Sequence, residues 1–300
     1  MYRHATSGPL SRLRFFVVSA LLLLGTAKEG YGQRVYANTS SIATDVDRGC
    51  VTVLVQICGD VTNPTYPVTM SRILNNQPSR IIAPLALSTT KHNIRFTGTN
   101  TLPAPYAPVM VKIKINASLL GLVNSVSIQR TNNGVNNTVG NSYSVATLLD
   151  LLGIGGIGNE ELTVILPVPG TSQANNGVQV AVSSAVSLGL SADLFYAFYI
   201  APPQLENNEV FRCEGESEEA IIDNFQNGYT YRLYTAEVGG TEIPEAATTT
   251  ATLTLPSNLE GSYWLEARED DIYPSARTEV NISVVPKPGH PQLTIIDAPD

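Results

Sequence analysis

Val109-Met110-Val111-Lys112-Ile113-Lys114-Ile115-Asn116 decides the fold class. Val109, Val111, Ile113 and Ile115 alternate with Met110, Lys112, Lys114 and Asn116. A period of two puts the first four side chains on one face of a strand and the rest on the other. The same pattern recurs outward from this stretch. Val126 and Ile128 alternate with Ser127 and Gln129, and Leu162, Val164 and Leu166 with Glu161, Thr163 and Ile165. Val178, Val180 and Val182 follow the turn signal Asn175-Asn176-Gly177, and Leu194 to Tyr199 is an aromatic run. Turn clusters at Asn75–Pro78, Pro103–Pro108 and Thr131–Asn137 separate these segments. Short strands with frequent turns indicate a sandwich or barrel. Ser144 to Leu152, followed by Gly153 as a C-cap, reads as a helix, and Ala117 to Leu120 is too short to count. The glycine run Gly153 to Gly158 comes after that helix and before a strand. A dinucleotide loop needs the reverse order, so the run reads as a connector.

Charged residues make up 15% of the 300 and apolar residues 43%, which excludes intrinsic disorder. The net charge of −8 is unevenly spread: +3 over residues 1–33, +2 over 34–200 and −13 over 201–300. The break near residue 200 signals a domain boundary. The acidic final third argues against nucleic acid and against anionic lipid as partners.

The N-terminus has the form of a cleaved signal peptide spanning residues 1–32. Arg3, Arg12 and Arg14 precede the ten-residue apolar run Phe15–Leu24, too short to cross a bilayer. Gly25-Thr26-Ala27 and Gly30-Tyr31-Gly32 offer cleavage sites, the second just before Gln33. The expected product is exported, secreted or at the cell surface, with no membrane insertion after cleavage. It carries Cys50, Cys58 and Cys213. Cys50 and Cys58 flank Val51 to Ile57, which reads as one strand; eight extended steps span roughly 26 Å, whereas a disulfide needs Cα atoms within about 7 Å. The pair can bridge only if that run bends sharply, so the pairing stays open here.

Residues 34–200 form the first expected β-sandwich. Residues 201–206, Ala-Pro-Pro-Gln-Leu-Glu, read as a proline-rich linker. Residues 207–286 contain six or seven short strands, which suits an immunoglobulin-like sandwich. Within them, alternation puts Tyr263 on the apolar face with Leu265 and Ala267, and Trp264 on the half-exposed face with Glu266 and Arg268. Pro203-Gln204-Leu205 recurs as Pro291-Gln292-Leu293, 88 residues later and again after prolines. That spacing is the mark of an array, so residues 287–300 read as a linker and the start of a further repeat, with the chain expected to continue beyond Asp300.

Three stretches of the second unit carry a resemblance. They are Phe211-Arg212-Cys213-Glu214-Gly215-Glu216-Ser217, Tyr229 to Tyr234 followed by Gly239-Gly240-Thr241, and Leu259-Glu260-Gly261-Ser262-Tyr263-Trp264. Residues 210–285 resemble the immunoglobulin-like modules of large secreted surface proteins of the Bacteroidota. Antibody-type domains place a cysteine two residues after the late-strand tyrosine. Here Leu265 stands there, so an intersheet disulfide is ruled out. Residues 35–200 more loosely resemble the jelly-roll-like module that precedes such repeats, through Val61-Thr62-Asn63-Pro64, Leu102-Pro103-Ala104 and Asn176-Gly177-Val178. The resemblance implies adhesion or surface architecture and carries no catalytic residues. The expected fold is all-β, with jelly-roll-like and immunoglobulin-like sandwiches in tandem.

Candidate chemistry is sparse. Of three histidines, His4 leaves with the signal and His290 sits in a linker, which leaves His92, expected at the surface of a strand edge. The first domain has seven carboxylates: Asp45, Asp47, Asp60, Asp150, Glu160, Glu161 and Asp193. Asp45-x-Asp47 could help hold calcium or simply mark a solvated turn. Cys50 and Cys58 are expected in apolar, inert surroundings. Glu214, Glu216, Glu218 and Glu219 read as a solvated face. Tyr229, Tyr231, Tyr234, Tyr263 and Tyr273 could stack on sugar rings, although alternation places about half of them in the core. The expectation is therefore a non-catalytic adhesin or surface scaffold without cofactor or metal, whose partner is a surface polysaccharide or a protein. The alternative is a carbohydrate-binding module on a spacer.

Overall fold

The computed structural model describes residues 33–52, 55–83, 88–116, 125–151, 160–168, 173–184 and 190–287. The signal-like N-terminus, the glycine run Gly153–Gly158, Ala117–Leu120 and the repeated Pro291-Gln292-Leu293 lie outside the described residues. In chain order the first strands are β1 (Arg34–Tyr36), β2 (Val46–Asp47), β3 (Cys50–Thr52), β4 (Gln56–Cys58), β5 (Asp60–Thr62), β6 (Ser79–Ile82) and β7 (Thr89–Arg95). They continue with β8 (Val109–Asn116), β9 (Val126–Thr131), β10 (Thr138–Ser144), β11 (Glu161–Leu166), β12 (Gly177–Ser183) and β13 (Ser191–Ile200). One sheet has the order β11-β8-β13-β6-β5 with β1 also on β13, and the other β10-β9-β12-β7-β2. Their facing sides enclose a core that includes Val109, Val111, Ile113 and Ile115 from β8 and Ile128, Val178, Val180 and Leu194 from its neighbours. The period-two reading of 109–116 therefore holds for the inner face.

The outer face of that sheet breaks the alternation. Met110 and Phe198 are fully buried although they point away from the first core. They are covered by a second sandwich. Its strands are β14 (Glu209–Cys213), β15 (Glu218–Ile221), β16 (Tyr229–Tyr234), β17 (Glu242–Thr248), β18 (Thr252–Leu255), β19 (Gly261–Glu269), β20 (Tyr273–Pro274) and β21 (Thr278–Val285). One sheet runs β14-β21-β19-β16-β17 with β20 on β19, and the other is β15-β18. β14 runs parallel to β21, whereas the other pairings are antiparallel. The fold is thus two β-sandwiches in tandem, the second immunoglobulin-like. Leu265 and Ala267 are buried on the core face as their alternation requires, and Tyr263 packs half-buried beside that core. The large aromatic fully inside is instead Tyr231, whose hydroxyl accepts from the Gln226 amide at 2.9 Å. Glu266, on the opposite face, is also buried, because Arg268 and Arg277 bond its two carboxylate oxygens at 2.6 and 3.0 Å.

Tyr36, Met110, Phe198 and Ile200 of the first sandwich and Tyr229, Tyr231 and Leu233 of the second belong to one hydrophobic cluster. The Arg34 guanidinium lies 4.5 Å from the Phe198 ring centroid, and its Nε bonds both Glu269 oxygens at 3.0 and 2.7 Å. Tyr273 meets Phe198 edge-on at 6.3 Å. Gln33 donates through Nε2 to the Asn224 carbonyl at 2.7 Å. Residues 201–206 are held in place: Pro203 and Leu205 are buried, Glu206 N–H bonds the Ile221 carbonyl at 3.0 Å, and Thr278 Oγ1 donates to the Pro203 carbonyl.

Two local elements differ from the expectation. Val51 to Ile57 is not one strand. β3 and β4 pair as a hairpin with Cys50 opposite Cys58, so the Cα atoms stand 4.1 Å apart and the disulfide forms. Both cysteines are exposed rather than buried in apolar surroundings. Val145–Leu151 is helical as expected, and Ser144 Oγ caps it by accepting from Thr147 N–H at 3.1 Å. The short helices Ile42–Asp45 and Met70–Leu74 have no counterpart in the periodicity, being a single turn or little more.

Phe198→Ala should cost about 3–5 kcal/mol, as for a large buried aromatic. It should also make residues 201–206 a cleavage site for a broad-specificity protease under native conditions, while the parent chain resists there. Denaturant titration and mass spectrometry of the fragments check both.

Candidate functional site

The residues with chemical potential in the first sandwich are committed to holding it together. His92 on β7 is not at the surface. It is fully buried, since it shares the inner face of β7 with Ile94 and meets Ser79 of β6 in the facing sheet. Its Nε2 lies 3.0 Å from Ser40 Oγ and its Nδ1 2.8 Å from Ser79 Oγ. Burial pushes the imidazole down from 6.5 to about 4, against the opposing pull of the Pro64 backbone and of Asp45. A serine beside a histidine suggests an activated nucleophile, but Ser79 is fully buried, and the half-buried Ser40 hydroxyl donates to the Asn93 carbonyl at 3.3 Å.

Asp45 and Asp47 do not converge on a cation site. The Asp45 carboxylate is fully buried and receives Arg95 Nε and Nη2 at 2.9 Å each, Asn93 Nδ2 at 2.8 Å and the Ser41 amide at 2.9 Å. Burial opposes its ionisation, yet these donors hold its pKa below the usual carboxylate range. Asp47 accepts from Asn136 Nδ2 at 3.0 Å and from the Gly49 amide at 3.2 Å. Asp193 is clasped by Arg80 and Asn116, Asp60 faces Arg48 at 3.5 Å, and Glu161 pairs with Lys112 at 2.7 Å. Asp150 and Glu160 are exposed and apart from these. Among the described residues, no three of His, Cys, Asp and Glu stand together as metal ligands. The tyrosine set is likewise absorbed. Tyr229, Tyr231 and Tyr234 are buried and Tyr263 and Tyr273 half-buried, so no exposed platform for sugar rings forms from them. Arg130, which the sequence reading passed over, is buried too. It donates to the Ala107 carbonyl at 2.8 Å and to Asn175 Oδ1 at 3.2 Å, and burial pushes its guanidinium down to about 10.

An open concavity lies in the second sandwich, between β14 and β15. The chain pairs with β15 at Leu205, opposite Ile222, and then crosses at Asn207-Asn208 to join β21 in the other sheet. The crossing leaves a groove of about 280 Å³ between two strand edges. Val210 and Ala220, both buried, form its floor. Phe211 and Ile221 line it with 62% and 52% of their surface exposed, unusual values for such side chains. Glu206, Glu209, Glu218 and Glu219 complete the lining. Among the described residues none of these four glutamates is in an ion pair, and no cation lines the groove. Glu214, Glu216, Glu218 and Glu219 are exposed, as expected of a solvated face, and the last two also border the cleft. The free Cys213 is exposed at the end of β14.

His92 gives a pH dependence with a definite sign. The unfolded chain protonates this histidine at its ordinary value, whereas the folded chain keeps it neutral down to about 4. Stability should be level above about pH 6.5 and fall between that and about pH 4, by about 3 kcal/mol in all. Urea midpoints measured across this window should show the slope in the parent chain and a flatter one in His92→Gln.

Solved structures match this chain at low identity. A β-1,2-glucanase from Parabacteroides distasonis is 12% identical with a TM-score of 0.38, over 83% of this chain and 38% of that one. The adhesin domain of Epf from Streptococcus pyogenes is 10% identical with a TM-score of 0.21, over 88% of this chain and 87% of that one. Latent PorU from Porphyromonas gingivalis is 12% identical with a TM-score of 0.22, over 65% of this chain and 19% of that one. The chain thus spans well under half the length of the glucanase. No curated protein matches it. Residues 201–286 match the family model described as an Ig-like domain, CHU_C associated, which agrees with the strand order of the second sandwich.

Proposed function

We propose that this chain is a non-catalytic segment of an exported surface protein, in which an immunoglobulin-like module and the sandwich before it form an adhesive or architectural unit. The observation that carries the reading is the commitment of potentially reactive groups to structure. His92 is sealed in the core, and Asp45 and Asp193 are clamped by arginines. Side-chain catalysis needs a nucleophile, base or metal in mutual reach of a substrate. The match of residues 201–286 to an Ig-like domain supports a structural module. The charged start, the apolar run Phe15–Leu24 and the Gly-x-Gly site before Gln33 support export. The partner in this reading is a surface polysaccharide or a protein, and neither nucleic acid nor anionic lipid suits a net charge of −13 over residues 201–300.

The test is a screen of the full chain against polysaccharide, peptide and ester substrates, with and without calcium, alongside a glycan array. No turnover is expected. Turnover abolished by Asp60→Asn or Asp193→Asn would overturn the reading, and glycan binding without turnover would favour a carbohydrate-binding module instead. In the same preparation, the exported chain should begin at Gln33 by mass spectrometry. Peptides from residues 1–24 in the exported product would refute the cleaved signal.

A further inference from the structure

We propose that the groove between β14 and β15 receives an extended basic peptide segment, which adds to the free edge of β15 as a further strand. This goes beyond the surface reading above, because the groove would bind whether or not the chain is adhesive.

The backbone supplies the first part of the argument. β15 pairs with β18 on one side and with the chain at Leu205–Glu206 on the other, but only at its end. Glu206 N–H bonds the Ile221 carbonyl at 3.0 Å, so residue 221 presents its polar backbone towards the groove side. Ile222 N–H turns the other way, to the Ala251 carbonyl at 2.8 Å. Successive residues of a strand alternate in this respect, so Glu219 presents its N–H and C=O on the same side as Ile221. The chain has crossed to the other sheet by then and, among the described residues, leaves them without a strand partner. An exposed row of such groups is a template for another strand.

The side chains say what that strand must carry. The exposed rings and branches of Phe211 and Ile221 offer apolar contact on the walls. Glu206, Glu209, Glu218 and Glu219 place four acids around it with no basic side chain among the lining residues. An extended segment shows alternate side chains to opposite sides. Glu219 and Ile221, two apart, share one side of β15, and Glu209 and Phe211 one side of β14. A peptide that carries Lys or Arg two residues from Val or Ile, as in a Lys-Lys-Val-Val repeat, therefore matches both features, with its apolar residues against Phe211 and Ile221 and its cations among the glutamates. An acidic or polyanionic ligand would be repelled by the same four charges.

The probe is a synthetic peptide of about eight residues, the length of an ordinary strand, built as a Lys-Lys-Val-Val repeat with blocked ends. Its counterpart carries glutamate in place of lysine, and a third version of the lysine peptide is N-methylated at alternate backbone positions. Binding of labelled peptide to the full chain is read by fluorescence anisotropy, with hydrogen exchange at the amides of residues 218–221. The lysine peptide should bind saturably and protect the Glu219 amide. The glutamate and N-methylated versions should each bind at least about tenfold more weakly, the one losing charge complementarity and the other the backbone ladder. Replacing Glu206, Glu209, Glu218 and Glu219 together by Gln should weaken the lysine peptide at least about fivefold, a modest effect for each exposed charge. That variant keeps the backbone intact, so it remains informative if Glu219→Pro, which removes the free N–H, fails to fold. Equal binding of the N-methylated peptide, unchanged exchange at residue 219, or no binding by the lysine peptide would each overturn the proposal.

Discussion

The second sandwich rests on the outer face of a sheet of the first, and much else in the molecule depends on that contact. A sheet with one wet face would show strict alternation along β13, apolar inside and polar outside. β13 instead reads Leu194-Phe195-Tyr196-Ala197-Phe198-Tyr199-Ile200, apolar on both faces, because Phe198 and Ile200 enter a cluster shared with Tyr231 and Leu233. Arg34 joins the two bodies by chemistry that a lysine would reproduce poorly. Its planar guanidinium lies against Phe198 while its Nε reaches both oxygens of Glu269. The proline-rich stretch 201–206 accordingly acts as a packed strap, with Leu205 buried and paired to Ile222.

The carboxylates buried among the described residues are each paired with arginine. Asp45 with Arg95, Asp193 with Arg80 and Glu266 with Arg268 and Arg277 each put a buried or nearly buried carboxylate against guanidinium. Removing one partner of such a pair leaves an uncompensated charge, which costs far more than the intact pair contributes. These contacts are consequently better at enforcing one arrangement of neighbouring strands than at adding stability. Of the basic residues in the second sandwich, Arg232 pairs with Glu242 and Asp271, Arg268 and Arg277 with Glu266, and Lys287 with Glu216, while Arg212 of β14 is buried and donates to the Leu259 carbonyl.

The inner face of the first sandwich was legible because period two is a local property, and Val109 to Ile115 carry it whatever lies around them. What could not be read depended on neighbours distant in sequence. His92 reads as an edge residue because nothing in Thr89 to Asn93 announces that Ser79 of the facing sheet will pack against it. Met110 sits among polar residues on its face and gives no sign of the second sandwich above it. Cys50 and Cys58 were separated by a run with strand character throughout, and Val51-Thr52-Val53-Leu54-Val55 contains no glycine, proline or asparagine to mark the reversal. Trp264 and Tyr263 were assigned to the correct faces, but their degree of burial depends on where the strand meets the rim of its sheet. The groove was the least legible of all. Its glutamates are exposed, as a charge run on a solvated face should be, and only the crossing at Asn207-Asn208 gives that face a concavity.

That crossing raises a problem which the glutamates answer. A strand that leaves one sheet for the other uncovers backbone groups on the sheet it has left, and such an edge invites pairing with any extended chain, including another copy of the same protein. Two copies brought edge to edge here would set Glu218 and Glu219 of one against those of the other. Like charges directly opposite one another destabilise a strand pair. The acidic wall therefore screens out self-association while leaving Phe211 and Ile221 uncovered. A purely protective edge would have no use for those two side chains, because exposed phenylalanine and isoleucine beside open backbone add to the hazard rather than reduce it. Their presence is more economically explained by selective pairing: repulsion sets the sign of what can approach, and the apolar pair with the free edge of β15 holds what is admitted.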